Sequence, residues 1–214
     1  HLSVHSFPTR RSSDLIPTVA IVLSFASLGG YAIAQLKFPG RDAIFAFFLF
    51  GLTIPFQAIM VVMYTIVQNL GMLSTYLGVI IPMSALGLPF GIFFMRAFLR
   101  EIPKDLIDAS RILGCNQWQI FSLVVMPLAR PALASLLIFQ FITAWNNFML
   151  PLLFLHKDEL RPITLGLMYF QGQYTMDYAK IFAGVTIITF PLIVVYVAFH
   201  RQFIAGLTSG AIKS

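Results

Sequence analysis

Five apolar segments, at 16–36, 43–67, 74–98, 131–155 and 181–203, are each long enough to cross a hydrocarbon core of about 30 Å as a helix, which takes roughly 20 residues. Each is bounded by charge, Gly or Pro. Inside lipid only helices and closed barrels satisfy every backbone N–H and C=O, and barrel strands would alternate in polarity over about ten residues. Runs this continuous predict five helices in an all-α, polytopic membrane chain. Composition agrees, because 58% of the residues are hydrophobic and 22 Phe equal the 14 basic and 8 acidic residues together. A soluble globule, whose surface needs about a quarter of its residues charged, is excluded. The lone cysteine, Cys115, excludes an internal disulfide and any multi-cysteine metal site. No metal and no cofactor is expected. The net charge of +6 could point to nucleic acid, but in an apolar chain sparse Lys and Arg mark loops on the cytoplasmic side of a membrane. The expected solvent is membrane lipid, and no nucleic-acid partner is expected.

Residues 5–15 read HSFPTRRSSDL, polar and Arg-rich, and stop abruptly where the first apolar run begins. They lack the order of a signal peptide, with no apolar stretch between the basic pair and a cleavage site. Across all eleven residues the string resembles the conceptual translation of a short-read sequencing adapter. The expectation is therefore that 1–15 are non-native and that 16–214 form a single transmembrane domain. The alternative is a native basic arm. Without Arg10, Arg11 and Asp14 the chain keeps 12 basic and 7 acidic residues.

Lys37, Arg41, Arg96, Arg100, Lys104, Arg111, Arg130, Arg201 and Lys213 fall on one side of the five spans, whereas Lys157, Arg161 and Lys180 fall on the other. Nine against three puts the Lys37 loop, the 100–130 loop and the C-terminus in the cytoplasm. An outside start with an odd helix count predicts a six-helix parent that begins in the cytoplasm.

The loop at 100–130 is long beside most of the others and is expected to have a purpose. Pro103 suits a helix start, with Asp105 and Asp108 near the positive N-terminal end and Arg111 near the close. Leu106, Ile107, Ala109, Ile112 and Leu113 make an apolar stripe opposed by Lys104, Asp108 and Arg111. Gly114 suits a left-handed cap, and Asn116 suits the cap of a second helix over 117–125, before Pro127. The reading is a short amphipathic helix, a sharp bend and a second helix returning to the bilayer. An interfacial helix lying on lipid is the plain alternative.

Asp108, Ala109 and Ser110, then three residues, Gly114, nine residues, and Val124, Val125, Met126 and Pro127 resemble the EAA loop of ABC importer permeases. Departures are Asp for Glu, Ser for the second Ala, Val for Ile and Met for Leu. KFPGR at Lys37 to Arg41, PFGIFFMRAF from Pro89, AWNNFMLPL from Ala144, FQGQY from Phe170 and GLTSGAIKS from Gly206 are similar to the second permease subunit of maltose-type carbohydrate importers. The resemblance implies a type I ABC importer fold in the cytoplasmic or inner membrane. Its implied partners are a second permease subunit in a heterodimer, a cytoplasmic ATPase pair and an external solute-binding protein. It also implies that Asp108, Ala109, Ser110, Gly114 and Pro127 couple to the ATPase, and that Gly206, Leu207, Thr208 and Gly210 make a second contact with it.

The chain contains no G-x-x-x-x-G-K-[ST] phosphate loop, so hydrolysis is expected on a separate subunit and no enzyme is expected here. No Asp, Glu or His is expected deep inside a span, which disfavours an ion-coupled carrier. A route for sugars or polyols needs amides, hydroxyls and aromatic faces. Thr53 and Gln57, four apart on the second run, and Gln140, Thr143 and Asn147 on the fourth are the pathway candidates, beside Trp145 and Asn146. Interhelical bonding is the alternative for each. The external loop at 156–180, with Asp158, Glu159, Gln171, Gln173, Tyr174 and Asp177, is the expected docking surface for the binding protein. The competing function class is a membrane scaffold or signalling subunit that binds a cytoplasmic protein through 100–130.

Overall fold

The structure, a computed structural model, describes the backbone of residues 7–160, 162, 165 and 178–209, and their side chains except those of 7–13, 158, 180 and 198–209. The chain divides into two compact units. The first takes residues up to Ala20, Pro55–Leu86 and Gln140–Ala198; the second takes Ile21–Ile54, Gly87–Phe139 and the residues from Phe199.

Every regular element among the described residues is helical. In order these are α1 (Phe7–Gln35), α2 (Arg41–Thr53), α3 (Phe56–Asn69), α4 (Leu77–Leu99), α5 (Lys104–Ile112), α6 (Gln117–Gln119), a π-helical turn (Ile120–Val125), α7 (Met126–Leu128), α8 (Arg130–Asn146), α9 (Met149–Phe154), a 3-10 turn (Asp158–Leu160) and α10 (Tyr178–Ser209). The expected spans at 16–36 and 181–203 lie inside α1 and α10, and 74–98 is α4, opening at Leu77. The other two are broken. Ile54 precedes Pro55 and is held extended at φ −80° and ψ 115°, as the proline ring requires, so 43–67 becomes α2 and α3. The fourth run ends as α8 at Asn146, and Asn147 Oδ1 accepts from the Leu150 N–H at 3.0 Å to start α9.

By length and composition, Asp14–Gln35 and Leu77–Leu99 can each cross a membrane unaided. Two broken pairs, Arg41–Thr53 with Phe56–Asn69 and Gln117–Leu128 with Arg130–Asn146, raise the number to at most four among the described residues. Ile181–Val197 is a shorter apolar stretch. Of the five expected spans, those at 16–36 and 181–203 run unbroken in α1 and α10, 74–98 is α4 from Leu77, and those at 43–67 and 131–155 are broken at Ile54 and Asn147. Asp14, placed at the very start of its span, is buried.

In the second unit α1 and α4 meet through glycine. A Cβ on Gly91 would lie 2.8 Å from the Ala26 Cβ, so the two backbones approach as only small residues allow. Around this contact Ile92, Met95 and Leu99 of α4 pack with Tyr31 and Ile33 of α1 and with Val125 and Leu136 further along the chain. In the first unit Ser74 adopts a left-handed φ of 55°, rare outside glycine. Two bonds hold it there: its N–H donates to the Phe154 carbonyl at 2.7 Å, and its hydroxyl accepts from the His156 N–H at 3.2 Å. Tyr64 stacks on Phe154 at 6.4 Å beside them, and the Trp145 indole donates to the Ile188 carbonyl at 3.1 Å, tying α8 to α10.

Candidate functional site

The loop at 100–130 lies wholly in the second unit and is built from two local caps back to back. Pro103 caps α5 from extended backbone, Asp105 occupies its first turn and Arg111 its last, each beside the helix end that favours its charge. Asp108 and Arg111 form an exposed ion pair at 2.8 Å, of the kind that contributes only about 0.3–0.5 kcal/mol. At the far end Gly114 takes φ +84°, its N–H donates to the Arg111 carbonyl at 2.9 Å, and the Cys115 N–H donates to the Ser110 carbonyl at 3.0 Å. This paired closure satisfies carbonyls that a helix end otherwise leaves open. Two residues on, Asn116 Oδ1 accepts from the Gln119 N–H at 2.9 Å while Gln119 Oε1 accepts from the Asn116 N–H at 2.8 Å. Such a reciprocal cap fixes where the next helix begins.

The second helix differs from the expected plain stretch over 117–125. It passes through a π turn and continues to Leu128, taking Pro127 into its last segment. A proline crowds the carbonyl four residues before it, here Leu123, and the π turn falls on that residue. The axis then bends by 75° into α8.

The apolar stripe of α5 is not a core-facing stripe. Only Ile107 and Ser110, three apart, are buried in α5, and the Ser110 hydroxyl bonds back to the Leu106 carbonyl at 2.6 Å. Anchoring through that pair turns Leu106, Ala109 and Ile112 outward, and Ile112 and Leu113 are 87% and 83% exposed. Trp118 and Leu123 add to this apolar surface. Exposed large apolar residues on a loop otherwise rich in charge mark a protein-interaction or membrane-interaction surface.

The structure brings Asp108, Ala109, Ser110 and Gly114 together on α5 and its cap, with Asp108, Ala109 and Gly114 exposed and Ser110 buried, while Pro127 is exposed at the end of the second helix. The bend is tied to the span by a contact the sequence did not suggest. The Tyr31 hydroxyl of α1 donates to Gln117 Oε1 at 3.0 Å, and the Tyr31 ring packs on Phe121 at 5.2 Å, with the Trp118 ring also 5.3 Å from Phe121. A tyrosine within an apolar run was the available signal, since a buried hydroxyl needs a partner.

The pathway candidates do not form two clean faces. Thr53 closes α2 and Gln57 opens α3, so their spacing of four crosses a break; the Thr53 hydroxyl donates to the Phe50 carbonyl at 2.8 Å. Gln140 is buried and Thr143 exposed on α8, whereas Asn147 lies beyond it and serves as the start of α9. The backbone of Gly206, Leu207 and Thr208 continues α10, but their side chains and all of Gly210 lie outside the described residues. So do Gln171, Gln173, Tyr174 and Asp177 of the loop expected outside.

Comparison with known proteins places the chain. The family described as binding-protein-dependent transport system inner membrane component matches residues 21–208. The arabinooligosaccharides transport system permease protein AraQ of Halalkalibacterium halodurans is 37% identical over 94% of this chain and 72% of its own length. The diacetylchitobiose uptake system permease protein NgcG of Streptomyces coelicolor is 31% identical over 93% of this chain and 67% of its own. Among solved structures, a bacterial ABC transporter involved in import of the acidic polysaccharide alginate superposes with a TM-score of 0.80 at 24% identity, covering 92% of this chain and 74% of that one. The scaffold alternative is not favoured, and a permease component is not an enzyme. The chain belongs to the binding-protein-dependent transport system inner membrane component family and is a transmembrane permease subunit of an ABC importer.

Proposed function

We propose that this subunit moves a sugar or related polyol across the cytoplasmic membrane by alternating access, in a heterodimer with a second permease, served by an external solute-binding protein. Its 100–130 loop docks on one of a pair of cytoplasmic ATPases, which supply the energy. The observation that carries the reading is the bend itself. Two caps make the Gly114–Asn116 joint stiff, Ile112 and Leu113 stand exposed on its outer side, and Ile107 with the Tyr31–Gln117 bond fasten its inner side to the span. A push on the outer side is then passed to α1 and α8 rather than absorbed. Asp108, Ala109, Ser110, Gly114 and Pro127 are the coupling residues, and Gly206 to Gly210 a second contact with the ATPase. Nine basic residues against three favour a cytoplasmic loop and C-terminus. The carbohydrate class rests on the motifs shared with maltose-type importers and on the substrates for which AraQ and NgcG are named.

Gln140 and Thr143 on α8, with Thr53 and Gln57 on either side of the Pro55 break, are the residues offered to the solute. Asn147 joins them only if its cap opens. Residues 1–15 are read as non-native.

The test is co-purification with the ATPase and uptake of a panel of sugars by wild type and Gly114→Pro. Proline cannot adopt a φ of +84°, so hydrolysis should continue without uptake. Unaltered coupling sinks the proposal.

A further inference from the structure

The basic residues of the KFPGR stretch take no part in the coupling loop, yet they are gathered at one place in the second unit. Gln35, the last residue of α1, donates through Nε2 to the carbonyl of Leu99, the last residue of α4. This bond sets the ends of the two whole apolar helices side by side, so the residues around those ends stand at one depth, where lipid headgroups begin. Lys37 and Arg41 follow α1, and Arg96 and Arg100 lie at the close of α4. Arg96 is within electrostatic reach of Arg100, Arg41 and Asp42, and its guanidinium carbon sits 3.7 Å over the Phe45 ring. Against these four cations stand Asp42, held by Arg41 at 3.3 Å, and Glu101. An open cavity of about 420 Å³ occupies the corner, lined by Lys37, Phe38, Gly40, Arg41, Asp42 and Ala43. From its edge runs α2, which buries no residue and exposes Ile44, Phe47 and Phe50 at three-residue spacing.

We propose that this corner holds one anionic phospholipid, its phosphodiester against Lys37 and Arg41 and an acyl chain along Ile44, Phe47 and Phe50. A guanidinium and an ammonium lining one cavity offer donors and charge to a phosphodiester. The surplus of positive charge selects a headgroup of net negative charge over a zwitterionic one. Free phosphate meets the charges but leaves the α2 row uncovered, and a neutral lipid covers the row but not the charges. Only a molecule with both parts matches the whole corner.

The assembled importer, purified in detergent and stripped of lipid, is titrated separately with dioleoylphosphatidylglycerol, dioleoylphosphatidylcholine and inorganic phosphate, with bound lipid counted by native mass spectrometry and melting followed in parallel. Phosphatidylglycerol should be retained most strongly and raise the melting temperature. Lys37→Gln with Arg41→Gln should weaken its retention about tenfold to thirtyfold, on the scale expected for two cations at a membrane surface. Lys37→Arg with Arg41→Lys should restore it, and Lys104→Gln, on α5 away from the lining, should leave it unchanged. Phe47→Ser leaves the charges intact and should weaken lipid retention without changing the response to phosphate. Equal retention of the two lipids overturns the proposal, as does stabilisation by phosphate matching that by phosphatidylglycerol, or loss in Lys104→Gln as large as in the double variant. Phe47→Ser that breaks the permease pair while lipid stays bound would assign the α2 row to the second permease instead.

Discussion

Tyr31 and Gln117 are 86 residues apart in sequence and joined by a 3.0 Å bond from phenol to amide, which fastens a membrane-crossing helix to the first turn beyond the loop's bend. Tyr31→Phe removes that bond and keeps the ring against Phe121. Because Gln117 is exposed and can turn to water, the stability cost should be about 0.5–1.5 kcal/mol, read as a small drop in melting temperature. Uptake per ATP hydrolysed should fall by more than that loss explains. A variant with unchanged stoichiometry would reduce the bond to a stabilising contact.

Gly91 should tolerate no side chain. The Cβ of Gly91→Ala would meet Ala26 at 2.8 Å and Val22 at 3.3 Å, so α1 and α4 must part, at a cost of about 1–3 kcal/mol. Gly51→Ala, whose nearest neighbour would be Pro89 at 3.4 Å, is the companion variant and should melt close to wild type. Equal melting of the two would show that the helices yield without cost.

At Gly114 the constraint is torsional, since nothing lies within 4 Å of a Cβ there. Gly114→Ala should cost about 1 kcal/mol through the left-handed φ of +84°, and Gly114→Asn less, because asparagine tolerates that region better. Uptake ranking glycine, asparagine, alanine would confirm that the cap angle matters, and alanine equal to asparagine would count against it.

Ile112→Ser with Leu113→Ser removes exposed apolar surface and should change stability by no more than about 0.5 kcal/mol. Co-purification of the ATPase with the permease should nevertheless fall severalfold. Retained co-purification would move the docking contact elsewhere on the loop.

What could be read in advance was local. Gly114 and Asn116 announce their caps because the bonds involved run to residues at most five away. The amphipathic pattern of α5 was legible as a pattern and carried no direction. Periodicity says that a helix has an apolar side, not whether its own chain or another covers it, and Ile107 with Ser110 decides that here. Asn147 counted as i+7 from Gln140 only while the helix was assumed unbroken; its own side chain starts the next one. Pro55 lies within the second run, and Ile54 before it takes an extended conformation that separates Thr53 from Gln57. The Tyr31–Gln117 bond was out of reach, because pairing across so many residues is settled by packing.

The π turn at Ile120–Val125 holds one more residue than an α turn would. That turn absorbs the extra residue, so deleting one residue there would restore ordinary winding and leave the flanking segments at nearly the same azimuth, whereas in a plain α-helix, which advances about 100° per residue, the same deletion would swing everything before it. Trp118 would keep its place beside Phe121, and the bend at Gly114 would keep its direction with every cap intact. The π turn thus buffers the aim of the bend against a one-residue change in the length of the chain behind it.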